Sequence, residues 1–212
     1  MPGPREISRF AWGRYRRAPF GVRLLMTLRP LICPLDVVAE AVPRQSAVLD
    51  IGCGAALLLR WLVQAGRLAR GVGVDVSMQA IEAAAACATP GEPLEFVCRG
   101  PDEPWPHGDF DCVTLVDVLH HVPPSAQRPF IGRLRQVGPR LVIVKDIDPR
   151  PRWKAWMNAL HDFLMTRRRV HLCPMDMVRR WLEEEGFQVA RAERVDRLWY
   201  SHYLIVARRP PR

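Results

Sequence analysis

Apolar positions along this chain follow two periods. Short apolar runs predict seven buried strands, at 47–50, 71–75, 94–98, 112–116, 140–145, about 187–194 and 199–207. Between them, apolar residues recurring every three to four positions predict helices over 56–65, 78–87, 125–136 and 174–185. Gly66 and Gly186 stand just past two helix ends, where a left-handed stop belongs. Strands alternating with helices predict an α/β architecture with a largely parallel sheet covered by helices on both faces.

Two stretches stand apart from that alternation. In residues 1–45, Phe10, Trp12, Tyr15, Phe20, Leu24, Leu25, Met26 and Leu28 interleave with Arg9, Arg14, Arg16, Arg17, Arg23 and Arg29. The pattern predicts a helical flap, with a short helix from Pro34 to Val42 leading into the first strand. A flap packed on the domain over a bound cofactor explains it most simply, and the interleaving also leaves a peripheral contact with an anionic membrane open. The second stretch is an insertion over about 146–173, too long for a simple connection. Its Trp153, Trp156, Met157, Leu160, Phe163 and Leu164 share one helical face, which suits core packing, an apolar acceptor pocket, or both.

Composition narrows the class. With 212 residues, 49% apolar and 25% charged, the chain can bury a sizeable core. No apolar run approaches the ~18 residues that span a bilayer, and arginines interrupt every candidate leader core, so a cytoplasmic protein is expected. Six scattered cysteines lack the paired spacing of a zinc site and suit a reducing compartment, so no metal is expected. The net charge is +9, yet only Lys145 and Lys154 are lysine. Such an arginine skew can follow from a GC-rich coding sequence, so basicity permits anionic lipid or nucleic acid and diagnoses neither.

The candidate chemistry starts at the first strand. Val48-Leu49-Asp50-Ile51 runs into Gly52-Cys53-Gly54, and a helix-forming run follows from Leu57. Glycine lets a ligand approach the backbone closely. The second strand ends in Asp75, twenty-five positions after Asp50, where an acid can accept hydrogen bonds from ribose hydroxyls. A turn with two acids suits a cationic nucleoside better than a pyrophosphate. In these residues the chain resembles the class I S-adenosylmethionine-dependent methyltransferases, whose loop reads Asp-x-Gly-x-Gly-x-Gly; here Ala56 holds the third glycine position.

The resemblance runs in order over about 45–208 and implies a Rossmann-like sheet whose last strand is antiparallel, within a methyltransferase domain over 46–212. It implies S-adenosylmethionine as cofactor, held by Asp50, Gly52, Cys53, Gly54, Asp75 and Val76. The family's adenine acid after the third strand is missing at Arg99 and Gly100; Asp102 is the nearest, and Trp105 could add an apolar contact. The run Asp109 to Pro123 resembles the family's fourth motif, which places Asp117 and Leu119 beside the cofactor and His120 beside the acceptor.

Asp117-Val118-Leu119-His120 differs from the motifs of methyltransferases acting on nucleic-acid bases, so nucleic acid is disfavoured. The ending is more like that of small-molecule, lipid or quinone methyltransferases, and an amphipathic or aromatic acceptor is expected. For a hydroxyl or phenol acceptor, His161 is the first choice of general base, with Asp146 and Asp148 orienting it or binding the acceptor, and Trp156 lining the pocket. An RNA or protein acceptor and a non-catalytic cofactor-binding subunit are the alternatives.

Overall fold

A computed structural model describes residues 3–150, 170–198 and 200–210. The sheet has seven strands, β1 (Ser46–Ile51), β2 (Leu68–Asp75), β3 (Leu94–Cys98), β4 (Cys112–Val116), β5 (Leu141–Ile147), β6 (Gln188–Arg194) and β7 (His202–Arg208), in the order β3-β2-β1-β4-β5-β7-β6. Two compact units make up the chain, Met1–Thr114 and Leu115–Arg212.

The first unit opens with α1 (Pro4–Arg14), α2 (Phe20–Ile32) and α3 (Leu35–Ala41). It continues through β1 (Ser46–Ile51), α4 (Leu57–Gln64), β2 (Leu68–Asp75), α5 (Met78–Ala86) and β3 (Leu94–Cys98). β1 pairs in parallel with β2, and β2 with β3. Val48, Leu49, Val72 and Val74 are buried, as the apolar runs require. Gly73 is enforced by packing, because a Cβ there would come 2.8 Å from Cys53 Sγ.

Helix α1 turns Ile7 and Ala11 inward, with the buried Tyr15 just past its end, and packs on α2, α3 and α4. The buried Tyr15 hydroxyl donates to the Ala55 carbonyl at 2.6 Å, so the N-terminal helices are fastened to the glycine turn. Beside it lies Arg60, whose fully buried guanidinium donates to the carbonyls of Ala55 (3.2 Å) and Ala84 (2.6 Å) and lies 3.7 Å from Glu92. Glu92 in turn pairs with Arg14 of α1. Burial pushes the Tyr15 phenol up to about 12, although Arg60 opposes the shift.

The second unit holds a short 3-10 turn (Leu119–His121), α6 (Pro124–Gly132), α7 (Leu134–Val137), β5 (Leu141–Ile147), α8 (Met175–Glu184), β6 (Gln188–Arg194) and β7 (His202–Arg208). β7 runs antiparallel to both β5 and β6. All seven residues of β5 are buried.

The single helix expected over 125–136 is two, broken at Arg133. Gly132, a weak helix former, precedes the break, and Gly138 ends the second piece at φ 65°. The last strand starts at His202 rather than 199, because Tyr200 is occupied in an isolated bridge with Arg197. No helix among the described residues is long and apolar enough to cross a membrane.

Candidate active site

In the first unit, β1 delivers Asp50 to the start of the glycine turn. The side chain is 3% exposed, and Thr114 Oγ1 donates to Asp50 Oδ1 at 2.6 Å. Burial raises this carboxyl to about 7; the Thr114 hydrogen bond and the Arg29 charge counteract, and Asp75 adds to the rise. Thr114 and Arg29 were not foreseen as partners. Thr114 sits in an apolar strand like any β-branched filler, and Arg29 is one arginine among many.

The turn itself is built around Asp75. Its Oδ2 accepts from the Gly54 amide at 2.8 Å and its Oδ1 from the Ser77 amide at 2.9 Å. The carboxylate thus ties the end of β2 to the turn after β1. Gly52 and Gly54 take φ of 76° and 55°, and a Cβ on Gly54 would meet nothing within 4 Å. Ala56 adopts φ 63°, so the third glycine position keeps the left-handed backbone despite its side chain. Cys53 is 8% exposed, and burial first, with Asp50 and Asp75 adding, drives its thiol far above the usual range. It is therefore packing and not a nucleophile.

Val76 and Met78 flank Asp75 and expose 58% and 56% of their surface, an apolar shelf beside an acid. Asp102 is exposed in the loop after β3, where Glu103, not Asp102, accepts from the Gly100 amide at 2.9 Å. Trp105 is buried at 6%, which makes it an anchor of that loop.

In the second unit, four predicted residues converge. Asp117, just past β4, takes φ 58°; its amide donates to the Lys145 carbonyl at 2.9 Å. Lys145 Nζ, fully buried, donates to Asp117 Oδ1 at 2.5 Å. Asp146, next on β5, accepts from Leu119 N at 2.9 Å and His120 N at 3.3 Å through Oδ2. Through Oδ1 it accepts from Ile147 N at 2.7 Å and meets His120 Nδ1 at 2.5 Å.

Burial alone would raise the Asp146 carboxyl, but the His120 charge and hydrogen bond, with the Ile147 amide, hold it below its ordinary value. A carboxylate on Nδ1 selects the neutral tautomer with its lone pair on Nε2. Donor atoms of Asp117, His120 and Asp146 lie within 4.8 Å of one another. Both Asp146 oxygens and Asp117 Oδ1 are already engaged by protein donors, so the cluster is a hydrogen-bonded dyad beside an ion pair and is poorly suited to a cation.

Around this cluster, Gln127 Nε2 donates to the carbonyls of Leu119, Val122 and His171, and His171 N donates to His120 O at 2.7 Å. Tyr203 lies directly across from Asp146 on β7. Its buried hydroxyl has no hydrogen-bond partner among the described residues, and burial together with Asp146 raises it well above the ordinary phenol. Lys145, Gln127 and Tyr203 were missed, since nothing in their spacing distinguishes them from strand and helix filler.

Asp148 has its oxygens on Arg150 and on the Met175 amide, and these partners outweigh burial to hold its carboxyl below the ordinary value. It fastens the start of α8. His161 and Trp156 lie outside the described residues.

Known proteins resemble this chain in sequence and in fold. Residues 48–138 match the family model described as a methyltransferase domain. That match spans 91 of the 212 residues, and over it the chain is similar to a methyltransferase domain. A ubiquinone biosynthesis O-methyltransferase of Bradyrhizobium sp. (strain ORS 278) is 37% identical over 91 residues, 42% of this chain and 34% of the relative. The chain thus spans about a third of that relative's length.

The fold is similar to that of magnesium protoporphyrin IX methyltransferase from Synechocystis PCC 6803, crystallised with S-adenosylhomocysteine (TM-score 0.70, 22% identity, 97% of this chain and 96% of that one). It is also similar to 1,6-didemethyltoxoflavin-N1-methyltransferase of Burkholderia thailandensis (TM-score 0.67, 17% identity, 100% and 92%).

The glycine turn fits S-adenosylmethionine on its own geometry. There is open space at Gly54, a carboxylate at the end of β2 and an apolar shelf at Val76. Asp50 adds a measurable signature. Were Asp50 to face the ligand's ammonium, its carboxyl, raised to about 7, would have to give up a proton, and S-adenosylhomocysteine would bind progressively more weakly below about pH 7, by up to about tenfold per unit. Asp50→Asn should flatten that profile in calorimetry, and a flat wild-type profile would remove Asp50 from the site.

Proposed function

We propose that this protein transfers a methyl group from S-adenosylmethionine to a hydroxyl or phenol of a small amphipathic or aromatic acceptor. The observation that supports this most is the His120–Asp146 pair, a buried imidazole held by a carboxylate through Nδ1. The likeness to a ubiquinone biosynthesis O-methyltransferase, a magnesium protoporphyrin IX methyltransferase and a didemethyltoxoflavin methyltransferase adds support for a small-molecule acceptor.

S-adenosylmethionine, when bound, supplies an electrophilic methyl group on a sulfonium that leaves as a neutral thioether. Asp75 would hold its ribose hydroxyls, Asp50 its amino-acid end, and the Gly52–Gly54 backbone its close flank. His120 Nε2 would take the proton of the acceptor hydroxyl as the new oxygen–carbon bond forms. Asp146 would hold the ring in place and stabilise the imidazolium, as a carboxylate does behind a catalytic histidine. Tyr203, which keeps its proton at neutral pH, is a donor in reserve beside this pair.

The cofactor half is tested by titrating S-adenosylmethionine and S-adenosylhomocysteine into wild-type protein and Asp75→Ala. Loss of charged hydrogen bonds to the ribose should cost about 1.5–3 kcal/mol, roughly 10- to 150-fold in Kd. If folded wild-type protein bound neither ligand, the proposed reaction would be wrong. Given binding, methyl transfer from labelled cofactor to a panel of catechols and long-chain phenols tests the acceptor class.

A further inference from the structure

Helix α2 is apolar on two sides. Its inner side buries Met26 and Pro30. Its outer side leaves Phe20 68%, Leu24 40%, Leu25 44% and Leu28 47% exposed, and Phe20, Leu24 and Leu28 fall on one ridge of the helix, four residues apart. Trp12 of α1, 43% exposed, extends the patch, because the Arg23 guanidinium of α2 stacks 3.6 Å over its ring and donates to its carbonyl at 2.9 Å. Of the nine exposed large hydrophobic residues described, five belong to this hairpin. Isolated exposed leucines need no explanation, but a contiguous group marks an interaction surface.

The charge around the patch says what it meets. The first 32 residues carry seven arginines and one acid, Glu6. Arg16 and Arg17, both exposed, sit in the connection immediately before Phe20. A second copy of the same surface would bring arginine against arginine, which opposes a symmetric dimer through this face. Nucleic acid would use the arginines but has no use for three exposed leucines. A bilayer with anionic headgroups uses both: aliphatic and aromatic side chains enter the acyl boundary while arginines stay with the phosphates.

From this complementarity we propose that the α1–α2 hairpin is a docking surface for anionic phospholipid bilayers. Helix α2 also carries Arg29, whose charge reaches Asp50 in the glycine turn, so the helix that meets the lipid also borders the cofactor half.

The test is co-sedimentation of the full chain with vesicles of phosphatidylcholine alone and of phosphatidylcholine with phosphatidylglycerol. Binding should be at least tenfold stronger to the anionic vesicles and should fall steeply as salt rises. Two variants separate the contributions. Phe20→Ser/Leu24→Ser removes the apolar insertion, and Arg16→Gln/Arg17→Gln removes local charge; each should lower anionic binding at least fivefold. Leu198→Ser, which alters an exposed apolar residue outside the hairpin, should bind as wild type. The proposal is overturned if anionic vesicles bind no better than neutral ones, or if both hairpin variants bind as wild type. It is also overturned if the free protein is a dimer that Phe20→Ser/Leu24→Ser makes monomeric. None of these readouts depends on methyl transfer.

Discussion

His120→Ala should lower kcat for a phenolic acceptor by about 10²–10⁴-fold, the range for loss of a positioned general base, while S-adenosylhomocysteine binding stays within a few-fold of wild type. The reasoning rests on which nitrogen is engaged. Asp146 Oδ1 sits at Nδ1, and the same carboxylate receives the amides of Leu119 and His120, so backbone and ring are held by one group. The imidazole is therefore positioned before any acceptor arrives, and little reorganisation is needed when a proton moves. A wild-type acidic limb in the pH–rate profile should vanish in His120→Ala.

The matched variant His161→Ala, from the segment outside the described residues, should stay within a few-fold. If instead His161→Ala were the inactive one and His120→Ala retained activity, the base would be His161 and the dyad would be a packing device. The readout needs a protonated nucleophile: an amine or carbon acceptor would leave both variants nearly unaffected, and that result would reject the proposed acceptor class.

Much of this arrangement was legible in the chain because it depends on local chemistry. A strand that ends in an acid and meets Gly52 and Gly54 can fold few other ways, and Asp75 occupies the strand end that its spacing implied. The Asp117–His120 stretch and Asp146 were visible as polar residues at the ends of apolar strands. Their partners were not. The Asp146–His120 pair joins positions 26 apart in sequence, and Lys145–Asp117 joins positions 28 apart. Such pairings follow from sheet register, which apolar periodicity does not specify between strands that are far apart in the chain.

The apolar period over 153–164 predicts an amphipathic helix on which His161 stands out, whereas His120 follows an apolar strand and has the sequence context of a turn. The third glycine position shows the opposite case. Ala56 reads as a departure from the family pattern, yet its backbone is left-handed all the same, since the surrounding turn imposes the conformation.

Asp146→Ala should be the most destabilising of the site substitutions, by about 3–5 kcal/mol, the scale for removing one partner of a buried charged pair. Three backbone amides (Leu119, His120 and Ile147) lose their acceptor at once, and His120 Nδ1 is left in a buried site without its carboxylate. Asp146→Asn separates fold from catalysis. It keeps shape and one oxygen acceptor, so it should fold, but its amide nitrogen faces donors and cannot enforce the Nδ1–H tautomer. Its kcat should fall by about 10²-fold or more, with S-adenosylhomocysteine affinity changed only a few-fold.

The pH dependence has a definite sign. Because the folded carboxyl of Asp146 lies below its unfolded value near 3.9, it contributes stability that is fully present above about pH 4 and is lost as pH falls through the folded value. Denaturant unfolding of wild type and Asp146→Asn should therefore differ most at neutral pH and converge below about pH 4. A stability gap that stayed constant through that range would mean the carboxylate charge contributes nothing to the fold. Unchanged turnover in a stably folded Asp146→Asn would mean that His120 does not depend on it for its tautomer.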